Sequence, residues 1–224
     1  MKVSVIVPAL NEEGSIAETV RELRREGPHE ILVVDGGSND ATRQRAAGAD
    51  LVLPGPRGRA AQMNHGAAHA TGDVLLFLHA DCTLQPGSLR EAAAALRRPG
   101  VVAGCFRMRV RAPGLLYRLI DLSATARVWL TGIAYGDQGL FLRKDDFVRA
   151  GGFPPLRLME DVFFSLRLRR SGRVVVVPRS VCVSPRRWQR QGVVRQTLRN
   201  WALTALAAAG VPPDRLAAHY PEVR

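Results

Sequence analysis

The sequence predicts an α/β protein with a mostly parallel central sheet and helices on both of its faces. Short apolar, strand-like runs alternate with helix-like segments in the first half of the chain. Each run is almost continuously apolar, which is the pattern of a strand covered by helices on both sides. Gly, Pro, Asn and Asp separate the runs. The resulting order β-α-β-α-β-α-β is typical of parallel sheets.

The first half of the chain supplies four predicted strands and four predicted helices. The strands are 3–7, 30–34, 49–55 and 74–78, and the helices are 12–25, 41–47, 58–70 and 86–97. Asn11 is expected to cap the first helix, with Glu12 and Glu13 in its first turn. The reason is that side-chain oxygens and carboxylates stabilise a helix N-terminus.

The second half has a more mixed pattern. Strands are predicted at 101–110, 140–143 and 173–178, and helices are predicted around 115–130, from Lys144 and from Glu160. The sequence has no repeat, no low-complexity linker and no convincing domain boundary. We therefore predict one domain over residues 1–185, followed by a basic helical segment, 186–224, that packs on it.

The composition fits a globular domain with an excess of positive charge. Hydrophobic residues make up 46% of the 224, enough to bury a full core. The formal net charge is +12, nearly all from arginine, since Lys2 and Lys144 are the only lysines. From Ser165 onward, twelve arginines stand against Asp214 and Glu222. This clustering indicates a polyanionic partner (nucleic acid, anionic lipid or a phosphorylated substrate), or else a solvated arginine-rich surface.

Cysteine usage and hydropathy predict a cytoplasmic protein. Cys82, Cys105 and Cys182 are odd in number and lack metal-ligand spacing, so free thiols in a reducing compartment are expected. The N-terminus contains Pro8 and an acidic pair where a signal peptide would need small residues. The longest apolar stretch, 201–211, has eleven residues, short of the roughly 18 that a membrane span needs. Peripheral contact with the inner face of the cell membrane stays open.

Charged residues follow each of the first four predicted strands. The motifs read "PALNEE", "DGGSND", "GPRGRAAQMN" and "HADC". In a parallel sheet these strand ends meet at one edge. That edge would collect Asp35, Arg57, Arg59 and Asp81. Carboxylate oxygen suits Mg²⁺ or Mn²⁺ and arginine suits phosphate, so the edge is predicted to bind a nucleoside diphosphate with a divalent cation.

Longer stretches around these motifs resemble a known enzyme family. They are "VIVPALNEEGSI", "EILVVDGGSNDAT", "GRAAQMNHGAAHATGDVLLFLHADC", "GDQGLFLRKDDFVRAGGFP" and "LMEDVFFSLRLRRSG". In order and spacing they resemble family 2 glycosyltransferases of the GT-A fold, closest to a short bacterial subgroup whose sugar is unassigned. The resemblance covers about 1–180 of the chain. It implies a Rossmann-like sheet and an inverting, metal-dependent transfer of sugar from a nucleoside-diphosphate sugar to an acceptor hydroxyl.

The resemblance also implies which residues hold the donor. The nucleotide-binding set is Pro8, Ala9, Asn11, Glu12, Asp35, Gly36, Arg59, Asn64 and Ala80. Asp35 would contact the base, which in the family is most often uracil, so a UDP-linked donor is expected. The family's D-x-D motif reads His79-Ala80-Asp81 here, which assigns the Mn²⁺ or Mg²⁺ to Asp81. His79 departs from the motif and is expected to contact a hydroxyl, to support the site from behind, or to fill space.

The catalytic base follows from the same resemblance. The aspartate of an "ED" pair deprotonates the acceptor in the family, and here that aspartate is Asp161. Glu160 stands at the same helix start, where its charge would complement the helix dipole. The "GDQG" segment resembles the acceptor side, so Gly136, Asp137 and Gln138 join His79 as candidates for sugar or acceptor binding. A tight turn would explain "GDQG" nearly as well.

The C-terminal segment departs from the processive members of the family. Those members carry Q-x-x-R-W, whereas this chain spaces Gln196, Arg199 and Trp201 one residue too far apart. Processive synthesis is therefore not expected. The segment instead suggests a basic helix lying on a bilayer or clamping a phosphorylated or lipid-linked acceptor, with a helix packed on the domain as the simpler alternative.

Two other functions fit parts of the sequence. A sugar-nucleotide nucleotidyltransferase uses a similar sheet, but it needs a glycine- and arginine-rich phosphate loop after its first strand, and "PALNEEGS" has no arginine. A nucleic-acid-binding protein would explain the charge. Aromatic residues, however, make up only 6% of the chain and the arginines follow no known motif, so no nucleic-acid partner is expected.

Overall fold

A single mixed sheet runs through the centre of the molecule. A computed structural model describes residues 1–208 and 211–217. The strands in these residues are β1 (Val3–Ala9), β2 (Glu30–Asp35), β3 (Leu51–Pro54), β4 (Val74–Phe77), β5 (Cys82–Leu84), β6 (Val101–Val110), β7 (Leu140–Arg143) and β8 (Arg173–Val183). Their order across the sheet is β3-β2-β1-β4-β7-β6-β8-β5.

The sheet has a parallel half and a mixed half. β3, β2, β1 and β4 are parallel neighbours, as the sequence predicts. β7 runs antiparallel to β4 and β6, β8 is parallel to β6, and β5 is antiparallel to β8. Because β1, β2 and β4 are parallel, the loops that follow them leave the sheet at one edge. The predicted α/β class is confirmed.

Helices cover both faces of the sheet. They are α1 (Ile16–Arg25), α2 (Thr42–Arg45), α3 (Arg59–His69), α4 (Ser88–Leu96), α5 (Leu115–Thr131), α6 (Lys144–Arg149), α7 (Glu160–Ser171), α8 (Arg186–Gln191), α9 (Val193–Ala208) and α10 (Pro213–Ala217). One apolar cluster packs α1 and α4 against the sheet, and a second packs α3, α6 and α7. Residues alternate across each strand, which is why one strand contributes to both clusters.

The first helix begins later than predicted. Asn11 is not its cap but lies in the loop before it, in a left-handed conformation with φ 54°. The Asn11 side chain accepts a hydrogen bond from the Asn39 backbone N–H at 2.9 Å, and the Asn11 N–H donates to Ser38 Oγ at 2.9 Å. These two hydrogen bonds to the loop after β2 replace the capping bond that Asn11 was predicted to make at the start of the helix. Helix α1 consequently starts at Ile16, and Glu12 stays in the loop at the sheet edge.

Strand β5 is too short to be recognised in the sequence, yet it fixes the "HADC" motif. The Cys82 N–H donates to the His79 carbonyl at 3.1 Å, which closes a tight turn directly after β4. Cys82 then pairs with Val183 of β8. Asp81 lies in this turn, which is fixed by the hydrogen bond to His79 and by the pairing of Cys82 with β8.

The C-terminal helices pack on the domain through a small third cluster. Leu203 of α9 and Leu216 of α10 are buried against Leu158 and Met159, which precede α7. Within residues 1–208 and 211–217, none of the helices has the length and hydropathy to cross a membrane. Residues 209–210 and 218–224 of the segment predicted to be basic lie outside the described residues.

Candidate active site

A cavity of about 620 Å³ lies beyond the ends of β1 and β4. Its charged and imidazole lining residues, here called the polar end, are Glu12, Arg57, Arg59, His79, Asp81, Asp137, Asp161 and Arg186. Its lining residues from α5 and α9, here called the helical end, are Ile120, Ser123, Ala124, Arg127, Thr197, Asn200, Trp201, Leu203 and Thr204. Loops and helix starts thus supply the charge, and two helices supply much of the remaining lining.

Arg186 joins three segments at the polar end. Its Nη2 lies 2.5 and 2.6 Å from the two carboxylate oxygens of Glu12 and 3.3 Å from Asp81 Oδ2. Glu12 belongs to the loop after β1, Asp81 to the turn after β4, and Arg186 to the start of α8. The two carboxylates therefore share the single positive charge of this guanidinium, which offsets part of their negative charge.

The residues around Asp81 fit a divalent cation. Ligand atoms of His79, Asp81 and Cys82 all lie within 4.8 Å of one another. His79 Nε2 and Asp137 Oδ1 are buried atoms without a hydrogen-bond partner. Carboxylate oxygen suits Mn²⁺ or Mg²⁺, and an imidazole nitrogen is a further ligand for a first-row metal such as Mn²⁺.

His79 is neutral in this setting. Burial lowers the pKa of its imidazole to about 4, and the Arg59 charge acts in the same direction, against the opposing effect of Asp81, Asp137 and Glu160. A neutral imidazole has one nitrogen that accepts and one that donates. The unpartnered Nε2 can consequently bind either a hydroxyl or a metal ion.

Asp161 is a buried carboxyl group at the start of α7. The Gly136 N–H donates to its Oδ2 at 2.5 Å, and the Val162 N–H donates to its Oδ1 at 2.8 Å. Burial and the adjacent Glu160 carboxylate together raise the pKa of Asp161 to about 6, although Arg59 and the two N–H groups act in the opposite direction. A carboxylate with a pKa in this range can take a proton from a substrate near neutral pH.

Glu160 has a different environment from its neighbour. Its side chain is 1% exposed and forms an ion pair with Arg59 at the start of α3. Burial alone would raise the pKa of Glu160, but the Arg59 charge and hydrogen bond outweigh it and hold the pKa below its ordinary value. Glu160 is therefore an ionised partner of Arg59 and ties the starts of α3 and α7 together.

Gly136 separates His79 from Asp161. A Cβ atom at this position would lie 2.9 Å from His79 Nε2 and 3.1 Å from Asp161 Oδ2. Only a glycine lets the backbone pass between these two side chains without displacing them. Of the predicted acceptor-side residues, Asp137 lines the cavity, whereas Gln138 is fully buried and contacts the Tyr135 N–H and the Ala124 carbonyl at 3.4 Å each.

Four residues of the predicted nucleotide set, Asn11, Asp35, Gly36 and Asn64, do not line the cavity. Asp35 is buried and accepts hydrogen bonds from the Ser38 hydroxyl and from the Gly37 and Ser38 N–H groups. Gly36 lies against Gln62, whose side chain a Cβ atom would meet at 2.9 Å. Asn64 holds the Phe153 backbone, accepting from its N–H and donating to its carbonyl at 2.9 Å. These contacts brace the loops behind the cavity, and direct roles in nucleotide binding stay predictions.

Several cavity residues were not predicted. Gln62 donates to the carbonyls of Ala9 and Val34, which joins β1 to β2 beneath the cavity. Arg127 stacks on Tyr135, with 3.5 Å from the guanidinium carbon to the ring centroid. The sequence does point to Arg186 as a site residue, because Arg186 lies shortly after the end of β8, just as Asp81 lies shortly after the end of β4. For Arg127 the sequence offers no such indication, since helix packing alone brings it to the cavity.

Solved structures share this architecture. A mannosyltransferase from Pyrobaculum calidifontis, in complex with GDP-Man and Mn²⁺, aligns with a TM-score of 0.65 at 23% identity, covering 81% of this chain and 56% of that one. S. aureus TarS 1-349 in complex with UDP-GlcNAc aligns with a TM-score of 0.65 at 21% identity, covering 82% and 58%. The fold is therefore the GT-A fold of glycosyltransferases.

Sequence comparison places the chain within that class. The model of glycosyl transferase family 2 matches residues 4–159, and the chain belongs to this family. An undecaprenyl-phosphate 4-deoxy-4-formamido-L-arabinose transferase of Enterobacter sp. (strain 638) is 31% identical over 164 residues, 63% of this chain and 48% of the relative. The probable glycosyltransferase YdaM of Bacillus subtilis (strain 168) is 26% identical over 201 residues, 76% and 47%. The chain thus spans about half the length of these curated relatives.

Proposed function

We propose that the chain is an inverting, metal-dependent glycosyltransferase that moves a sugar from a nucleoside-diphosphate sugar, expected to be UDP-linked, to an acceptor hydroxyl. The observation that carries the proposal is the pairing of two environments in one cavity. Asp161 is a buried carboxyl with its pKa raised to about 6, and Asp81 is a cavity carboxylate beside Arg186 and an unpartnered imidazole. The first suits proton abstraction and the second suits a metal-bound diphosphate.

At the donor side, the chain would hold the diphosphate by charge. Arg57, Arg59 and Arg186 line the polar end of the cavity, and guanidinium groups bind phosphate oxygens in paired hydrogen bonds. Asp81, with His79 beside it, would hold Mn²⁺ or Mg²⁺. When bound, such an ion supplies positive charge that stabilises the departing diphosphate.

At the acceptor side, Asp161 would act as the general base. Its carboxylate takes the proton of the acceptor hydroxyl as the oxygen forms a bond to the anomeric carbon, while the bond from that carbon to the diphosphate breaks on the opposite face. Inversion follows from this single displacement. The N–H groups of Gly136 and Val162 hold the two oxygens of Asp161 in place, which fixes the direction of proton transfer.

The acceptor is proposed to be anionic and lipid-linked. Arg127 stands at the helical end of the cavity, and Trp201 and Ile120 supply apolar surface beside it. A cation flanked by apolar groups suits a phosphorylated or carboxylated amphiphile. The undecaprenyl-phosphate transferase among the relatives supports this chemistry.

A ligand screen tests the donor proposal. UDP, GDP and their sugars are added with and without Mn²⁺, and the melting temperature is followed. A ligand at about 100 times its dissociation constant should add about 2.7 kcal/mol, which for a domain of this size raises the melting temperature by about 5–10 °C. UDP and UDP-linked sugars should raise the melting temperature when Mn²⁺ is present. No shift with any nucleotide at millimolar concentration would contradict the proposal.

Arg186→Gln is expected to have opposite effects on two ligands. Without the guanidinium, Asp81 and Glu12 lose a competing cation, so Mn²⁺ alone should bind more tightly. UDP with Mn²⁺ should bind about tenfold more weakly or worse, because a charged hydrogen bond to the diphosphate is lost. Calorimetry measures both. Arg43→Gln, an exposed arginine on α2 with the same change in charge, is the control, and equal effects in both variants would exclude a role for Arg186.

A further inference from the structure

Helix α5 exposes an unusual amount of apolar surface. Its exposed large apolar side chains are Leu115, Leu116, Leu119, Leu122, Trp129 and Leu130. Leu115 is 75% exposed and Leu130 85% exposed. Residues three, four and seven apart share one side of a helix, so Leu115, Leu119 and Leu122 form a stripe. An apolar stripe of this kind on the outside of a domain indicates an interaction surface.

Helix α9, which contacts α5, carries more of the same surface. Val194, Leu198, Trp201 and Leu206 are each exposed. Among the residues that the structure describes, ten of the fourteen exposed large apolar side chains lie on α5 and α9. The concentration on two adjoining helices is not what scattered surface residues would give. We call these ten side chains the α5–α9 face.

The two segments that carry this face are rich in arginine and poor in acidic residues. Residues 101–135 contain five arginines and one acid, and residues 186–208 contain five arginines and no acid. The single acid, Asp121, is buried, pairs with Arg118 at 2.6 Å and accepts from the Val110 N–H. Arg107 and Arg109 are exposed on β6, and the Arg107 guanidinium carbon lies 6.0 Å from the Trp129 ring centroid. The charge therefore suits an anionic partner.

The cavity meets this face at Trp201. The Trp201 side chain lines the helical end of the cavity and is also 56% exposed. A molecule held against the α5–α9 face at Trp201 would therefore lie at the edge of the cavity.

We propose that the α5–α9 face docks the protein on an anionic lipid bilayer. Leucine and tryptophan side chains enter the boundary between headgroups and acyl chains, and arginines such as Arg107 and Arg109 contact the lipid phosphates. Delivery of an amphiphilic acceptor from the bilayer to Arg127 is the part that rests on the proposed function. The lipid contact itself does not depend on it.

Vesicle sedimentation tests this inference. At low salt the protein should bind vesicles that contain phosphatidylglycerol and bind pure phosphatidylcholine vesicles much more weakly. The double variant Leu119→Ser/Leu122→Ser should lower the partition coefficient by about tenfold or more, since two apolar side chains no longer enter the lipid. Val148→Ser removes an exposed apolar side chain of α6, outside the face, and should leave binding unchanged. Brominated lipid should quench Trp129 and Trp201 in the wild type.

Four outcomes would overturn the inference. They are equal binding to both kinds of vesicle, no effect of the double variant, an equal effect of Val148→Ser, and a dimer in light scattering that the double variant breaks without any vesicle binding. The last result would assign the face to a second copy of the chain. UDP binding with Mn²⁺ is measured in the same variants and should be unchanged, so failure of the lipid contact is distinguishable from failure of the donor proposal.

Discussion

Asp161→Asn is expected to lower turnover by about 10²–10⁴-fold, the usual worth of a positioned base. The amide has the shape of the carboxylate but cannot accept a proton at neutral pH. Donor and metal affinity should change little, because no described contact joins Asp161 to Asp81 or Arg186. Turnover is measured with an identified acceptor or, in its absence, as slow donor hydrolysis, and UDP affinity is measured by calorimetry in parallel.

The same residue sets an expected pH dependence of turnover. Only the ionised form of Asp161 can act as a base, and its pKa is raised to about 6. Turnover should therefore be low at acid pH, rise through about pH 6 and level off above it. A rate profile of the wild type measures this limb. The residual activity of Asp161→Asn should lack it.

Glu160→Gln is the matched control. It removes the carboxylate that adds to the raised pKa of Asp161 and breaks the ion pair between Glu160 and Arg59. The rise of turnover with pH should consequently move to lower pH. At the plateau, turnover should be near that of the wild type. Some thermal stability should be lost. If Glu160→Gln abolishes turnover and Asp161→Asn does not, the two roles are exchanged. If both variants stay active, Asp137 becomes the next candidate for the base.

Asp161 should also be visible in the dependence of stability on pH. Its pKa in the folded chain lies above the ordinary value of 3.8, so the folded state binds the proton more tightly than the unfolded state. This contribution to stability is complete below the ordinary value and is lost as pH rises through about 6. The melting temperature of Asp161→Asn, relative to wild type, should therefore increase between about pH 4.5 and pH 7.5. A constant difference would mean that the group is not perturbed.

The parallel half of the sheet could be predicted because its signals are local. Each strand is a continuous apolar run, and each run ends at charged residues that the topology collects at one edge. Of the four residues predicted to gather at this edge, Arg57, Arg59 and Asp81 line one cavity, whereas Asp35 is buried and does not line it. Asp161 is predicted in a different way, from the resemblance of its "ED" pair to the motif of the family.

Other parts of the site depend on contacts that no short stretch encodes. Asn11 looks like a helix cap, but a partner 28 residues away in sequence takes its side chain. Asn64 has the polarity of a ligand-binding residue, yet Phe153, 89 residues away, uses both ends of its amide. Arg127 reaches the cavity only because α5 packs beside α9. Such long-range pairings decide which polar residues face a ligand and which brace the loops.

Asp81→Ala is expected to remove the metal dependence of nucleotide binding while the fold stays intact. The Asp81 side chain is 23% exposed and lies in the cavity. It contacts Arg186 and the Cys82 thiol, so no part of the core depends on it. Arg186 keeps its two contacts with Glu12, which hold the start of α8 in place.

The expected result is a loss of Mn²⁺ affinity by about 100-fold or more, because removing a direct ligand should cost at least as much as the 10–100-fold typical of the residues behind ligands. UDP should then bind equally weakly with and without Mn²⁺, held by Arg57, Arg59 and Arg186. Calorimetry with UDP at several Mn²⁺ concentrations measures this, and the melting temperature without ligand checks the fold. His79→Ala is the companion variant. A similar loss of Mn²⁺ affinity would make His79 Nε2 a second metal ligand. An unchanged Mn²⁺ affinity would assign His79 to sugar binding instead. Unaltered Mn²⁺-dependent UDP binding in Asp81→Ala would place the metal elsewhere, with Asp137 as the remaining cavity carboxylate that has an unpartnered oxygen among the described residues.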